Sequence, residues 1–180
     1  MHPCTIREWR ESDAPALAAA INNPRVQDNL RDGIPFPYTV DDALDFIRAM
    51  LARDRTQQFA FAVALDDGRA IGSIGVTRGQ NIHFRTAELG YYIAEPYWGQ
   101  GFATCAVRQV CDHVFAHSDI LRIFAEPFAD NAASCRVLEK AGFAPEGILR
   151  QNAVKNGRIR DMKLYSRIKS ERIPDGNEHH

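Results

Sequence analysis

Two glycines in a four-residue turn, Trp98-Gly99-Gln100-Gly101, join a strand-like run to a helix-like one, and this junction limits the fold more than any other feature. Before the turn, Ala87 to Ile93 reads as a strand; after it, Phe102, Ala103, Ala106, Val107, Val110, Cys111, Val114 and Phe115 recur at three and four, a helix of about four turns. The glycines permit positive φ and a close approach of backbone to a ligand. The first N–H groups of such a helix have no partner within it, and its N-terminus carries about half a positive charge. The amides of Gln100, Gly101, Phe102, Ala103 and Thr104 can therefore wrap an anion without any Lys or Arg. Spacing alone leaves a second reading open, a helix start that binds nothing. Two other phosphate motifs drop out: there is no G-x-x-x-x-G-K-[ST], and Gly99-x-Gly101-x-x-Thr104 lacks the last Gly/Ala of a dinucleotide fingerprint and lies mid-chain.

The rest of the chain alternates between the two periods. A short strand near Thr5 to Trp9 precedes a helix that opens at Ser12-Asp13-Ala14-Pro15 and stops at Asn22-Asn23-Pro24. Asn29 to Tyr38 contains two prolines, which forbid a regular helix, and aromatics, which argue against disorder. Thr39-Val40-Asp41-Asp42 fits a capping box with Asp in the Glu/Gln position, and Leu44, Ile47 and Leu51 follow at helical spacing. Phe59, Phe61, Val63 and Leu65 alternate up to the hairpin turn Asp66-Asp67-Gly68, and Ile71 to Thr77 returns. Ile120 to Ala125 reads as a buried strand. Asp130-Asn131 opens a helix with an inward stripe of Ser134, Val137, Leu138 and Ala141, ended by Gly142, and two last strands flank Asn156-Gly157. The order β-α-α-β-β-β-α-β-α-β-β predicts an α/β protein, a mixed sheet with helices on both faces.

With 180 residues, 45% of them hydrophobic, and no linker or repeat, the expectation is a single domain over 1–170 followed by a tail, 171–180, whose terminal Glu178-His179-His180 resembles an affinity-tag stub. Lys plus Arg number 22 against 23 Asp plus Glu, a net charge of −1, so neither nucleic acid nor a membrane surface is an expected partner. No apolar run reaches the roughly 18 residues of a span. The start shows no secretory signal, and Cys4, Cys105, Cys111 and Cys135 contain no C-x-x-C pair, which together predict a cytoplasmic protein with free thiols. His113-x-x-x-His117 has metal-ligand spacing, but no Glu completes an H-E-x-x-H pattern, so no metal is expected.

Glu88-Leu-Gly-Tyr-Tyr-Ile-Ala-Glu-Pro-Tyr-Trp-Gly-Gln-Gly-Phe-Ala-Thr resembles the acetyl-CoA-binding motif of the GNAT acetyltransferases, and Asn131-Ala-Ala-Ser134-Cys-Arg-Val-Leu-Glu-Lys-Ala-Gly142-Phe143 resembles their second motif. Leu30-Arg-Asp-Gly-Ile-Pro-Phe-Pro-Tyr38-Thr adds a likeness to the RimJ/RimL-type branch. The resemblance spans about residues 4 to 168. It implies a central, mostly antiparallel sheet with one splayed strand pair. It also implies acetyl-CoA as co-substrate, with its pyrophosphate on the 99–104 amides, its pantetheine arm paired to the main chain of Tyr92, Ile93 and Ala94, and Asn131 hydrogen-bonded to that arm. The family's turn begins with Gln or Arg where Trp98 stands here, a change the backbone cradle tolerates.

The implied reaction moves an acetyl group to a primary amine, either a protein N-terminal α-amine or a small-molecule amine, by direct attack in a ternary complex. Glu88 is the candidate base, through a water; the alternative is a solvated strand-end Glu. The oxyanion would sit at a backbone N–H near Ile93. Many members use a Tyr to assist the departing thiolate where this chain has Leu138. Ser134 shares the helix's inward stripe, and its hydroxyl would donate a hydrogen bond to the developing sulfur charge; the alternative is a small residue tolerated mid-helix. Arg31, Phe36 and Tyr38 are the candidate wall of the acceptor groove, with plain packing as the competing account. The missing Tyr keeps a non-catalytic acyl-CoA-binding module in play, and a monomer and a homodimer are both open.

Overall fold

The computed structural model describes residues 4–170; the expected tail at 171–180 and the first three residues lie outside them. Seven strands form one sheet in the order β1-β2-β3-β4-β5-β7-β6, where β1 is Thr5–Arg7, β2 Gln58–Ala64, β3 Ala70–Arg78, β4 Thr86–Ile93, β5 Arg122–Ala125, β6 Ala144–Lys155 and β7 Arg158–Ile168. All neighbours run antiparallel except β4 and β5. That parallel pair is short: only Thr86, Ala87 and Glu88 face Arg122, Ile123 and Phe124. Beyond Glu88, β4 continues to Ile93 against β3 alone, so a gap opens between it and β5. This is the splayed pair that the motif resemblance implies.

Two apolar clusters show that helices cover both sheet faces. One packs α4 (Phe102–His117) and α5 (Ala132–Lys140) on the sheet through Val107, Val110, Val114, Ile123 and Leu138, all fully buried. The other lies under α1 (Ala14–Ile21) and α3 (Val40–Ala52), with Trp9, Leu17, Ile21, Ile47 and Ala62. At the start of α3, Thr39 Oγ1 accepts from the Asp42 N–H at 3.1 Å and Asp42 accepts from the Thr39 N–H at 2.8 Å, so Asp completes the capping box. The Asn-Asn-Pro stop does more than end α1. Asn23 Oδ1 accepts from the Arg25 N–H at 2.9 Å and starts a further single-turn helix, α2 (Pro24–Gln27), with Pro24 in the first position, where a missing N–H costs nothing.

The proline-bearing segment from Asn29 to Tyr38 has no regular structure, and the far end of the chain holds it. Lys155 Nζ bonds Asp32 at 2.7 Å, Asn156 Nδ2 bonds Asp28 Oδ1 at 2.8 Å, and the Arg160 guanidinium bonds the Asp28 carbonyl at 2.9 Å. These donors sit on or beside the β6–β7 hairpin, whose turn residues Asn156 and Gly157 both have positive φ (52° and 73°), as a type I′ turn requires. Helix α5 ends in a Schellman motif: the Gly142 N–H bonds Glu139 O at 3.1 Å, the Phe143 N–H bonds Leu138 O at 3.0 Å, and Phe143 and Leu138 are both buried. Gly142 holds φ +88° with no side chain crowding it. Gly142→Ala should therefore cost about 1 kcal/mol through backbone strain alone, read as a melting temperature roughly 2–4 °C lower.

Candidate active site

The gap between β4 and β5 runs into a cleft of about 840 Å³, within the range of small-molecule sites. One end is the glycine turn. Gly99 and Gly101 hold φ +74° and +86°, and apart from their chain neighbours no atom lies within 4 Å of where a side chain would begin on either. Gly101 caps α4, so the amides of Ala103 and Thr104 fall in the first turn, where no carbonyl one turn back exists to receive them. Two side chains of the turn bond back to the segment before it: the Trp98 indole N–H donates to the Ile93 carbonyl at 2.7 Å, and Gln100 Nε2 to the Pro96 carbonyl at 3.0 Å. Arg25 of α2 stacks over the Trp98 ring, 5.6 Å from its centroid. A pyrophosphate fits this arrangement because the donors are main chain and the space beside both glycines is open. Arg25, Arg136 and Lys140 also line the cleft, cations that sequence reasoning did not assign to the site.

Along β4, register decides which main-chain groups face the gap. The Ala94 N–H bonds Ile71 O of β3 at 2.8 Å, and the Ala94 carbonyl accepts from the Tyr97 N–H at 3.0 Å. Strand alternation then turns the peptide groups of Tyr92 toward Ser73 of β3, and those of Tyr91 and Ile93 toward the gap. Of the expected trio Tyr92, Ile93 and Ala94, only Ile93 presents its N–H to the cleft, with its carbonyl held by Trp98. Tyr91, outside the expected trio, presents its main chain there as well. Its side chain and that of Ile93 lie on the α4–α5 side, whereas Tyr92 packs into the cluster under α1 and α3.

Across the gap, α5 contributes Asn131 and Ser134. Asn131 caps the helix: its Oδ1 accepts from the Ser134 N–H at 3.2 Å, which uses only its carbonyl oxygen. Ser134 Oγ lies 2.7 Å from the Tyr91 hydroxyl, which is also 3.3 Å from the Ser134 carbonyl. Burial pushes the Tyr91 phenol up to about 12, so it stays protonated through the neutral range. Leu138, one turn further along α5, is fully buried and adds no polar group.

Two carboxylates, Glu88 and Glu126, also line the cleft, with Arg31 beside them. Glu88, the last β4 residue paired with β5, is bound through both carboxylate oxygens by the Arg31 guanidinium. Arg31 also lies 4.0 Å from Glu126, just beyond β5. Burial, and next the negative charge of Glu88, pushes the Glu126 carboxyl above its ordinary value, against a smaller opposing effect of Arg31. Sequence reasoning missed Glu126, because nothing near Ala125-Glu126-Pro127 signals that β5 ends at the gap. The expected acceptor wall separates. Arg31 reaches the carboxylates and Tyr38 lines the cleft from within the second cluster, 6% exposed, but Phe36 is 62% exposed and is absent from the lining. Exposed aromatic character on an irregular loop does not show which way a ring points.

His113 and His117 stack at 4.4 Å between centroids, with His113 edge-on to Phe59 and Phe61, an aromatic packing role. Among the described residues no group of three or more His, Cys, Asp or Glu could hold a metal ion, and no helix is long and apolar enough to cross a membrane.

Known proteins resemble this chain in sequence and in architecture. The pattern of the acetyltransferase (GNAT) domain matches residues 4–144. The uncharacterized N-acetyltransferase YoaA of Bacillus subtilis is 32% identical over 166 residues, covering 91% of this chain and 92% of its own. The ribosomal-protein-serine acetyltransferase of Escherichia coli is 27% identical over 142 residues, covering 77% and 79%. Among solved structures, Mycobacterium smegmatis RimJ in complex with a CoA disulfide superimposes with a TM-score of 0.82 at 25% identity, covering 96% of this chain and 85% of that one. Glycine turn, splayed strands, matched domain and relatives together show that the chain belongs to the GNAT family of N-acetyltransferases.

Proposed function

We propose that this protein moves the acetyl group of acetyl-CoA to a primary amine by direct attack while both substrates are bound. The observation that carries the reading is one cleft lined by Gly99, Gly101, Phe102, Ala103 and Thr104 of the turn, by Ile93, Asn131 and Ser134, and by Glu88 and Glu126. Coenzyme A supplies the thioester and its leaving sulfur. The chain does the rest. Turn amides hold the pyrophosphate, Asn131 orients the pantetheine arm, and the Ile93 N–H lies where a thioester oxygen gains charge. Glu88 receives the amine's proton through a water, with Arg31 fixing its carboxylate in place and Glu126 adding negative charge that attracts an ammonium to the mouth.

Amine chemistry favours α-amines. A lysine-like amine is neutral to about one part in 2,500 at pH 7, an α-amine to roughly one part in ten. Arg31 engages one acceptor site on each oxygen of Glu88 and leaves about two of the four for a water, enough for an acceptor that needs little deprotonation. The E. coli relative is named for acetylating a ribosomal protein serine, and the acceptor here is proposed as a protein N-terminal α-amine, with small amines as the competing class. A thiol-release assay on N-terminal peptides and a panel of small amines tests this. Turnover is expected on at least one peptide bearing a free α-amine, with a lysine-blocked version equally active. Turnover on small amines alone would reassign the acceptor, and coenzyme A binding without turnover on any amine would leave a non-catalytic binding module.

A further inference from the structure

We infer that Tyr91 is a positioning residue for the leaving group: its phenol donates to Ser134 Oγ across the cleft and so aims the serine proton at the departing sulfur. The inference rests on the acetyl-transfer reading above. Its observation is independent of any motif, a 2.7 Å contact between a hydroxyl on β4 and one on α5, two elements that line the cleft. Of the two, the phenol is the stronger acid and thus the donor. A serine that accepts this bond keeps its own proton for a third group. The Ser134 N–H is taken by Asn131 Oδ1 at 3.2 Å, and the one other acceptor in reach of the phenol, the Ser134 carbonyl, lies further off at 3.3 Å than the hydroxyl oxygen at 2.7 Å. The contact also compensates for Leu138, which is buried and cannot donate.

The step balances without either hydroxyl changing its protonation. The amine nitrogen forms the new C–N bond, the C–S bond breaks with its electron pair on sulfur, and the proton lost by the amine passes to Glu88 and on to water. Ser134 and Tyr91 only lower the energy of the charge that builds on sulfur. The titratable and charged groups facing this pair leave the reading intact. Burial pushes the Tyr91 phenol up, the Ser134 bond opposes that, and Cys135 adds to it, so the phenol is protonated through the neutral range.

A double-mutant cycle on the full-length protein decides the matter, with kcat from single-turnover acetyl transfer, KM for acetyl-CoA, coenzyme A affinity and melting temperature measured for Tyr91→Phe, Ser134→Ala and the double variant. Tyr91→Phe keeps the ring and removes only the hydroxyl. The expected result is kcat about tenfold lower in Tyr91→Phe, with KM and coenzyme A affinity unchanged, and no further loss when Tyr91→Phe is added to Ser134→Ala. Losses that multiply in the double variant, or a loss confined to affinity and melting temperature, would overturn the positioning role and leave Tyr91 as packing. An impaired Ser134→Ala beside an unimpaired Tyr91→Phe would overturn it too, while sparing the proposed function. An unimpaired Ser134→Ala would remove the leaving-group role from both residues.

Discussion

Ala103→Asp should lower the affinity for coenzyme A about a thousandfold without weakening the fold. Ala103 is half-buried in the first turn of α4 and lines the cleft beside Gly101. A carboxylate there sits within about 4 Å of a bound phosphate, and two like charges at that distance repel by about 4 kcal/mol at an effective dielectric of 20, roughly three decades in affinity. The same substitution favours the helix, because an acidic side chain in the first turn complements the N-terminal dipole by about 0.3–1 kcal/mol. Affinity and stability therefore move apart, a signature that misfolding cannot imitate. Titration calorimetry with coenzyme A beside a melting curve reads both, and Ala103→Asn separates charge from bulk, with a much smaller loss expected. Retained affinity in Ala103→Asp would remove the glycine turn as the phosphate site.

Glu88→Gln carries the second largest effect, a fall of about a hundredfold in kcat at pH 7 on a lysine-like amine and a smaller one on an α-amine, with coenzyme A affinity unchanged. The sign of the pH response follows from the neighbours. A base works when unprotonated, so activity falls as pH drops through the base's folded pKa. Glu126 is pushed up by burial and then by Glu88, so neutralising Glu88 lets the Glu126 carboxyl relax toward its ordinary value. Any residual activity that depends on Glu126 should then hold to lower pH than in the parent. A pH–rate profile of Glu88→Gln and Glu126→Gln side by side checks this. An unchanged rate in the first together with a collapse in the second would transfer the base role to Glu126.

Local chemistry was legible in the sequence wherever one turn or one cap decides the conformation. Gly99 and Gly101 take the positive φ they were chosen for, Asp42 closes the capping box on Thr39, Gly142 ends α5, and Asn156-Gly157 makes the last hairpin. Where the outcome depends on register between distant strands, the sequence is silent. Which of Tyr91, Tyr92, Ile93 and Ala94 turns its peptide toward the gap is fixed by pairing with Gly72 and Ser73, and a slip of one residue would exchange the two sets. The Tyr91–Ser134 contact spans 43 residues and the Glu88–Arg31 pair 57, so no local pattern announces either. Phe36 and Tyr38 show the same limit, since two aromatics two positions apart take opposite environments once Asn22 grips the Tyr38 N–H at 2.6 Å.

On the proposed reading the phosphates are gripped by peptide groups, which every residue type supplies, so replacements such as Trp98 pass through with little consequence. The proposed amine end is instead written in side chains, in Arg31, Glu88 and Glu126, and propped by the Asp32–Lys155 bridge from the opposite end of the chain. Descent can therefore rewrite which molecule is modified while the donor it is modified from stays the same, and swapping the 28–32 segment together with its hairpin is the graft that would carry acceptor preference from one relative to another.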